Sequence, residues 1–152
     1  MRKGDQIGEI ELPDQDGEVR RLADWLADGP VVLFFYPAAM TYGCTKESCH
    51  FRDLAAEFAA VGARRVGISA DRVEKQKEFA DKHGFDFPLL SDPDYAVATR
   101  LGVKRPLAAL GNRRTTFVID TDGTVLDVIH TEISMKAHAD RALEVLGART
   151  PR

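Results

Sequence analysis

The 152-residue sequence has only two cysteines, one tryptophan and no long hydrophobic run. Its longest apolar stretch, "VVLFFY" at 31–36, falls far short of the roughly 20 residues a membrane-spanning helix needs. It has the length of a buried strand. The opening "MRKGDQIGEIELP" lacks the apolar core of a secretory signal, so the reducing cytoplasm is the expected compartment. Positive charge is not in excess. Against 24 Asp and Glu stand 21 Lys and Arg, a net charge of −3, so no global field draws the chain to nucleic acid or an anionic membrane. No internal repeat, low-complexity tract or Pro/Gly/Ser-rich linker divides it. One domain over 1–152 is expected, large enough to bury a core without disulfide or metal staples. In that setting the two thiols are metal ligands, redox catalysts or inert core residues rather than a permanent disulfide.

What is present reads as alternating strands and helices. "IGEIELPDQDGEVRRL" (7–22) holds two extended pieces around Asp14, Gln15, Asp16 and Gly17, a hairpin. "LADWLADG" is a short helix closed by Gly29, and "VVLFFYP" a buried strand stopped by Pro37. The segment "CTKESCHFRDLAAEFAAVG" has Phe51, Leu54, Ala55, Phe58 and Val61 at the spacing of one amphipathic helix. Strand 64–70 follows, then a helix opened by an Asp71/Glu74 capping box and closed at Gly84. Further strands are expected at 87–92 and on both sides of Asp122-Gly123, with a short helix over 94–101 and a basic loop over 102–114 between them. Ser134 caps a last helix with its apolar stripe on Met135, Ala139, Ala142, Leu143 and Leu146. This order predicts an α/β domain: a mixed central β-sheet flanked by helices, with an N-terminal β-hairpin. A thioredoxin-like sheet closes it most simply.

Both cysteines lie in "PAAMTYGCTKESCH" (37–50). Cys44 follows a buried strand, a proline and a glycine, where the next helix begins. A helix start offers unpaired N–H groups and partial positive charge, which stabilise a thiolate. Thr41, three residues earlier, can aim a hydroxyl at the same spot. On one regular helix, positions 44 and 49 are separated by roughly 7.5 Å of rise and 140° of turn, roughly 8.6 Å between Cα atoms. A disulfide needs about 7 Å or less. Either the pair never bonds, or the first turn unwinds for each bond made; the second case lets Cys49 resolve a sulfenic acid formed on Cys44. A metal site would draw on Cys44, Cys49 and His50, but no second Cys/His cluster has zinc spacing. His50 points about 120° from Cys44 on an intact helix, a poor geometry for a general base. Structural or surface roles are expected for His50, His83, His130 and His138.

With those residues in view, the stretch resembles the peroxiredoxins. Pro37, Thr41 and Cys44 match their P-x-x-x-T-x-x-C pattern, and Cys49 resembles the resolving cysteine of the peroxiredoxin Q, or bacterioferritin comigratory protein, branch. Glu47 falls where that branch carries a glutamate three residues after the reactive cysteine. "RTTFVID" (114–120) resembles the segment whose leading arginine enters the active site, which nominates Arg114 over its neighbour Arg113. Tyr42 departs from the branch, which usually carries proline there, and is expected to bring a ring to the pocket mouth. The resemblance implies a thiol peroxidase without metal, haem or flavin, reducing hydrogen peroxide and organic hydroperoxides. It implies Cys44 as nucleophile, Cys49 as resolving thiol, Pro37 as a shield and Glu47 as support for an arginine. Thioredoxin or a similar dithiol protein would reduce the resulting disulfide. Ionisation alone explains little: a free cysteine with a pKa of about 8.5 is already a few per cent thiolate at pH 7, so full ionisation gains roughly thirtyfold. Donors placed at the breaking O–O bond must supply the rest, and Arg114, the Thr41 hydroxyl and the Cys44 N–H are the candidates. A thiol–disulfide oxidoreductase is the first alternative, weakened by the missing C-x-x-C; a metal-binding redox protein on the same fold is the second. A monomer is expected, since no long apolar stripe is left after the core is assigned.

Overall fold

The computed structural model describes residues 1–107 and 111–149; residues 108–110 of the expected basic loop and the last three residues lie outside that range. Its centre is β3 (Val31–Phe35), buried at all five positions. Strand alternation sends Val31, Leu33 and Phe35 into one core and Val32 and Phe34, with Tyr36 beyond them, into another on the opposite face. A strand covered on both faces reads as a continuous apolar run, which is why "VVLFFY" is conspicuous. β4 (Arg64–Ser69) and β5 (Leu89–Ser91) extend the sheet in parallel on one side. On the other side β6 (Thr115–Ile119) runs antiparallel to β3, and β7 (Val125–His130) antiparallel to β6. The order is β5-β4-β3-β6-β7, a mixed sheet as expected.

The N-terminal hairpin, β1 (Glu11–Pro13) with β2 (Val19–Arg21), forms a separate two-stranded ribbon. Its turn is held by Asp14, whose carboxylate accepts from the Asp16 and Glu18 N–H groups, and by Gly17 at φ +80. Of the helices, α1 (Leu22–Leu26) and α5 (Ala96–Leu101) cover one face through Leu22, Trp25, Val97, Ala98 and Leu101. The other face carries α2 (Tyr42–Asp53), α3 (Ala55–Ala60), α4 (Val73–His83) and α6 (Met135–Gly147). α6 starts as expected, with the Ser134 hydroxyl accepting from the Ala137 N–H.

Three local expectations change. The helix expected over 44–62 is two helices, broken at Leu54 (φ −97, ψ 22) and begun two residues earlier, at Tyr42. The Phe51 carbonyl, which an unbroken helix would offer to the Ala55 N–H, receives Arg65 Nη1 at 2.9 Å. The Asp71/Glu74 capping box does not form: α4 starts after Arg72 without a side-chain cap. Asp71 is drawn instead to the half-buried groups around β4, accepting from the Ala39 N–H and the Ser69 hydroxyl, each at 2.7 Å. The first short helix ends at Leu26, before Gly29.

The C-terminal end of α2 is anchored firmly. Phe51 is fully buried, and its ring stacks on Phe34 with centroids 4.2 Å apart. Arg52 Nη1 donates to the His83 carbonyl at 2.7 Å. Phe51→Ala should lower stability by about 3–5 kcal/mol in urea unfolding, the range for removing a buried aromatic ring; a loss below about 1 kcal/mol would mean that α2 is held elsewhere.

Candidate active site

The segment joining β3 to α2 is tied down from three sides. The Tyr36 hydroxyl donates to Gln76 Oε1 at 2.5 Å, and burial raises the phenol's pKa well above its ordinary value. The Ala39 N–H is held by Asp71, as described. Gly111, at φ +70, lies so close to the Pro37 backbone that a Cβ there would run into the Pro37 carbonyl. Between these ties Met40 is left in the left-handed region at φ 69, an uncommon conformation for a long side chain. Thr41 then opens α2 from an extended conformation, and Cys44 is its third residue, fully buried. The Thr45 N–H is bonded to the Thr41 carbonyl, so the N–H groups of 42–44 form the open first turn.

Arg114 meets Cys44 from the opposite strand. Thr116 pairs with Phe34 in the register of β3 and β6, and continuing the alternation two residues back brings Arg114 to the same face. Arg114 is 7% exposed and Arg113 lies in solvent, which decides between them. Arg114 Nη1 lies 3.4 Å from Cys44 Sγ and donates to Glu47 Oε1 at 2.9 Å. Its own N–H donates to Glu132 at 2.8 Å, and Glu132 also accepts from Arg105. Burial alone would lower the guanidinium's pKa, but Cys44 and Glu47 together raise it, so the cation is secure. Gly43 makes room for it: a Cβ there would sit 3.2 Å from Arg114 Nη2 and 3.6 Å from Met135 Sδ.

Glu47 is fully buried, and burial outweighs the attraction of Arg114, pushing its carboxyl up to about 8. His138 Nδ1 stands 3.5 Å from Glu47 Oε2 and 2.8 Å from Thr116 Oγ1, while its Nε2 lies 2.9 Å from the Thr131 carbonyl. Burial lowers this imidazole to about 4. Cys49 is half-buried on the same helix, and burial pushes its thiol up. Both cysteines are free thiols.

The structure thus brings Arg114 into contact with both Cys44 and Glu47, and keeps Cys49 along the helix and Pro37 on the loop. Thr41 is different: its hydroxyl donates to the Ala38 carbonyl at 2.8 Å, so its one hydrogen is committed and only lone pairs remain for a ligand. Tyr42 is 84% exposed at the first position of α2, where proline is also well suited, and its ring stays in solvent. His50 is paired with Asp140 of α6 at 2.7 Å. Among the described residues no group of three or more His, Cys, Asp or Glu could hold a metal ion. His138, expected in a structural or surface role, is fully buried and bonded to Thr116 and the Thr131 carbonyl, beside Glu47. Its four-residue spacing to Ala142 and Leu146, both buried, was the available signal.

Residues 3–128 match the AhpC/TSA family. The chain belongs to that family. It is 63% identical to a candidate peroxiredoxin of Mycobacterium tuberculosis over 97% of each chain, and 39% identical to the chloroplastic peroxiredoxin Q of Sedum lineare over 96% of this chain and 78% of that one. Among solved structures, the peroxidoxin BcpB of Mycobacterium tuberculosis superposes with a TM-score of 0.93 at 61% identity, covering 99% of each chain. The bacterioferritin comigratory protein of Xanthomonas campestris, studied for alkyl peroxide reduction, superposes at 0.82 with 33% identity over 91% of this chain and 90% of that one. The thioredoxin-like peroxiredoxin fold expected from the sequence is therefore the fold observed, and the chain is a thiol-dependent peroxidase of the peroxiredoxin Q type.

The raised Glu47 carboxyl has a consequence for stability. Between pH 6.5 and 8 the folded protein keeps a proton that the unfolded chain has released, so stability falls as pH rises, by about 2 kcal/mol over that window. His138 acts oppositely: between about 4 and 6.5 its own contribution rises with pH and offsets the fall that Glu47 contributes from about 4.5 upward, so the net fall is confined to the window above 6.5. Urea unfolding of the reduced protein at pH 6.5 and 8 should show the fall, and Glu47→Gln should lack it. An equal fall in both proteins would mean that Glu47 is already ionised in the native state.

Proposed function

We propose that Cys44 is the peroxidatic nucleophile and Cys49 the resolving thiol of this peroxidase. The observation that carries the reading is the 3.4 Å approach of Arg114 Nη1 to Cys44 Sγ, with Glu47 fixing the guanidinium from the other side. The Cys44 thiolate attacks the terminal oxygen of ROOH, the O–O bond breaks, and RO⁻ leaves and is protonated to ROH. Arg114 stabilises both the thiolate and the charge that develops on the leaving oxygen. Thr41, with its hydrogen engaged by Ala38, accepts from the peroxide O–H rather than donating to it. Pro37 walls the thiolate from water, and Gly111 lets the chain pack against it. Glu47 holds Arg114 without touching substrate.

Cys49 then condenses with the Cys44 sulfenic acid, releasing water. Five residues of intact helix keep the two apart, so α2 opens from its N-terminus, where the first turn is uncapped by any side chain. It stays anchored from Phe51 onward. A dithiol protein such as thioredoxin reduces the disulfide, and a reducing cytoplasm suits that cycle. Organic hydroperoxides as well as hydrogen peroxide are the expected substrates, supported by the alkyl peroxide reduction described for the Xanthomonas campestris protein. Residues 1–152 act as one domain and as a monomer.

A single-turnover reaction of reduced protein with one equivalent of peroxide tests the assignment. Wild type should consume peroxide orders of magnitude faster than free cysteine and end in a Cys44–Cys49 disulfide by mass. Cys44→Ser should consume none, and Cys49→Ser should stop at the sulfenic acid. Arg114→Ala should slow the first step by roughly 10²–10³, the scale for losing one donor to a developing oxyanion. Consumption no faster than free cysteine, for hydrogen peroxide and for an alkyl hydroperoxide alike, would sink the reading.

A further inference from the structure

Behind Arg114 lies a buried pair that the peroxide chemistry above does not use. Glu47 and His138 are both 0% exposed. Glu47 Oε1 is occupied by Arg114, but Oε2 has no hydrogen-bond partner among the described residues and faces His138 Nδ1 at 3.5 Å. The Thr131 carbonyl can only accept, so the hydrogen of His138 sits on Nε2. That leaves Nδ1 with a lone pair, or with a second hydrogen.

Only two arrangements give Oε2 a favourable neighbour. In one, Glu47 is a carboxylic acid whose O–H points toward a neutral His138 and shares its Nδ1 lone pair with the Thr116 hydroxyl, 2.8 Å from that nitrogen. In the other, a carboxylate faces an imidazolium shared with Thr116. Both hold one proton. Without it, a bare carboxylate oxygen would face a nitrogen lone pair in a dry site. The groups around the pair are Cys44 on α2, Arg114 and Thr116 leading into and on β6, and His130, Thr131 and Glu132 at the end of β7, the last paired with Arg105. Arg114 favours an ionised Glu47 and opposes an imidazolium, while Glu132 favours a proton on either group. Burial prevails over Arg114, so the proton rests on Glu47 and His138 is neutral.

We propose that Glu47 and His138 hold one proton while α2 is intact, and that unwinding of α2 releases it in step with disulfide formation. This rests on the Cys44–Cys49 cycle proposed above. A bond between those cysteines takes residues 45–48 out of helical geometry, and Glu47 is among them. In water its carboxyl reverts to an ordinary value and ionises at neutral pH. His138, on α6, stays behind and remains neutral.

The release balances the chemistry. Cys44–S⁻ plus ROOH gives Cys44–SOH plus RO⁻; RO⁻ takes up H⁺ to give ROH; Cys44–SOH plus Cys49–SH gives the disulfide plus water. From the thiolate, the sequence consumes one proton per disulfide. Glu47 returns one, so the oxidation is close to proton-neutral, and the folded and unwound forms of α2 differ by a bound proton.

The experiment is a single turnover with hydrogen peroxide in weak buffer at pH 7. A pH indicator reads proton uptake, ultraviolet absorbance reads the thiolate lost, and mass reads the disulfide. Wild type should take up about 0.9 proton fewer per disulfide than the thiolate lost, the occupancy at pH 7 of a group at about 8. In Glu47→Gln, whose amide keeps a neutral group beside Arg114 and His138, uptake should equal the thiolate lost. Should that variant fail to fold, wild type at pH 9 decides, since the shortfall should shrink to about 0.1. A disulfide formed with no shortfall at pH 7, or the same shortfall at both pH values, overturns the proton release and leaves the Cys44–Cys49 cycle standing. Absence of a Cys44–Cys49 disulfide takes down both.

Discussion

Arg114 brings one guanidinium nitrogen to both Cys44 Sγ and Glu47 Oε1, and the surrounding elements are arranged so that this cation stays buried and paired. A buried charge is costly to desolvate and is tolerated only with partners in good geometry. Three parts of the fold supply them. α2 brings Cys44 and Glu47, β3 sets the register of β6 that turns Arg114 inward, and Glu132 beyond β7 grips its backbone. Gly43 and Gly111 contribute by what they lack, leaving space for the guanidinium and for the Pro37 backbone.

The same arrangement places tension in α2. Its C-terminal end is locked by the Phe51 ring, by Arg65 on the Phe51 carbonyl and by Arg52 on His83. Its N-terminal end starts beside a left-handed Met40 and carries Glu47 Oε2 and Ser48 Oγ, buried and without hydrogen-bond partners among the described residues. The unpaired Ser48 hydroxyl costs about 1–3 kcal/mol, a cost removed when the turn opens to water. Opposing this are the Glu47–Arg114 contact and the His50–Asp140 pair. A helix anchored at one end and uncapped at the other is set to open from its N-terminus, as the proposed Cys44–Cys49 cycle requires.

Burial also separates the ionisable groups by task. Glu47 and His138, a short distance apart, are pushed in opposite directions and both toward neutrality. Arg114 therefore keeps its charge for Cys44 Sγ. A fully ionised glutamate would draw part of that field away from the sulfur.

The sequence by itself determined the strand–helix order, the all-buried central strand, the hairpin turns and the position of Cys44 at the start of a helix. These follow from local rules: periodicity, turn residues, and a cysteine placed at a strand-to-helix junction. The family pattern singled out Arg114, but only the β3/β6 register explains why Arg114 and not Arg113 faces the sulfur. The break at Leu54 and the recruitment of Asp71 to the Ala39 loop came from tertiary structure. In each case a distant or oppositely placed polar group competed with the local partner that spacing suggested. His138 is the clearest instance: on α6 it reads as an ordinary helical residue, and it meets Glu47 only because α6 packs against α2.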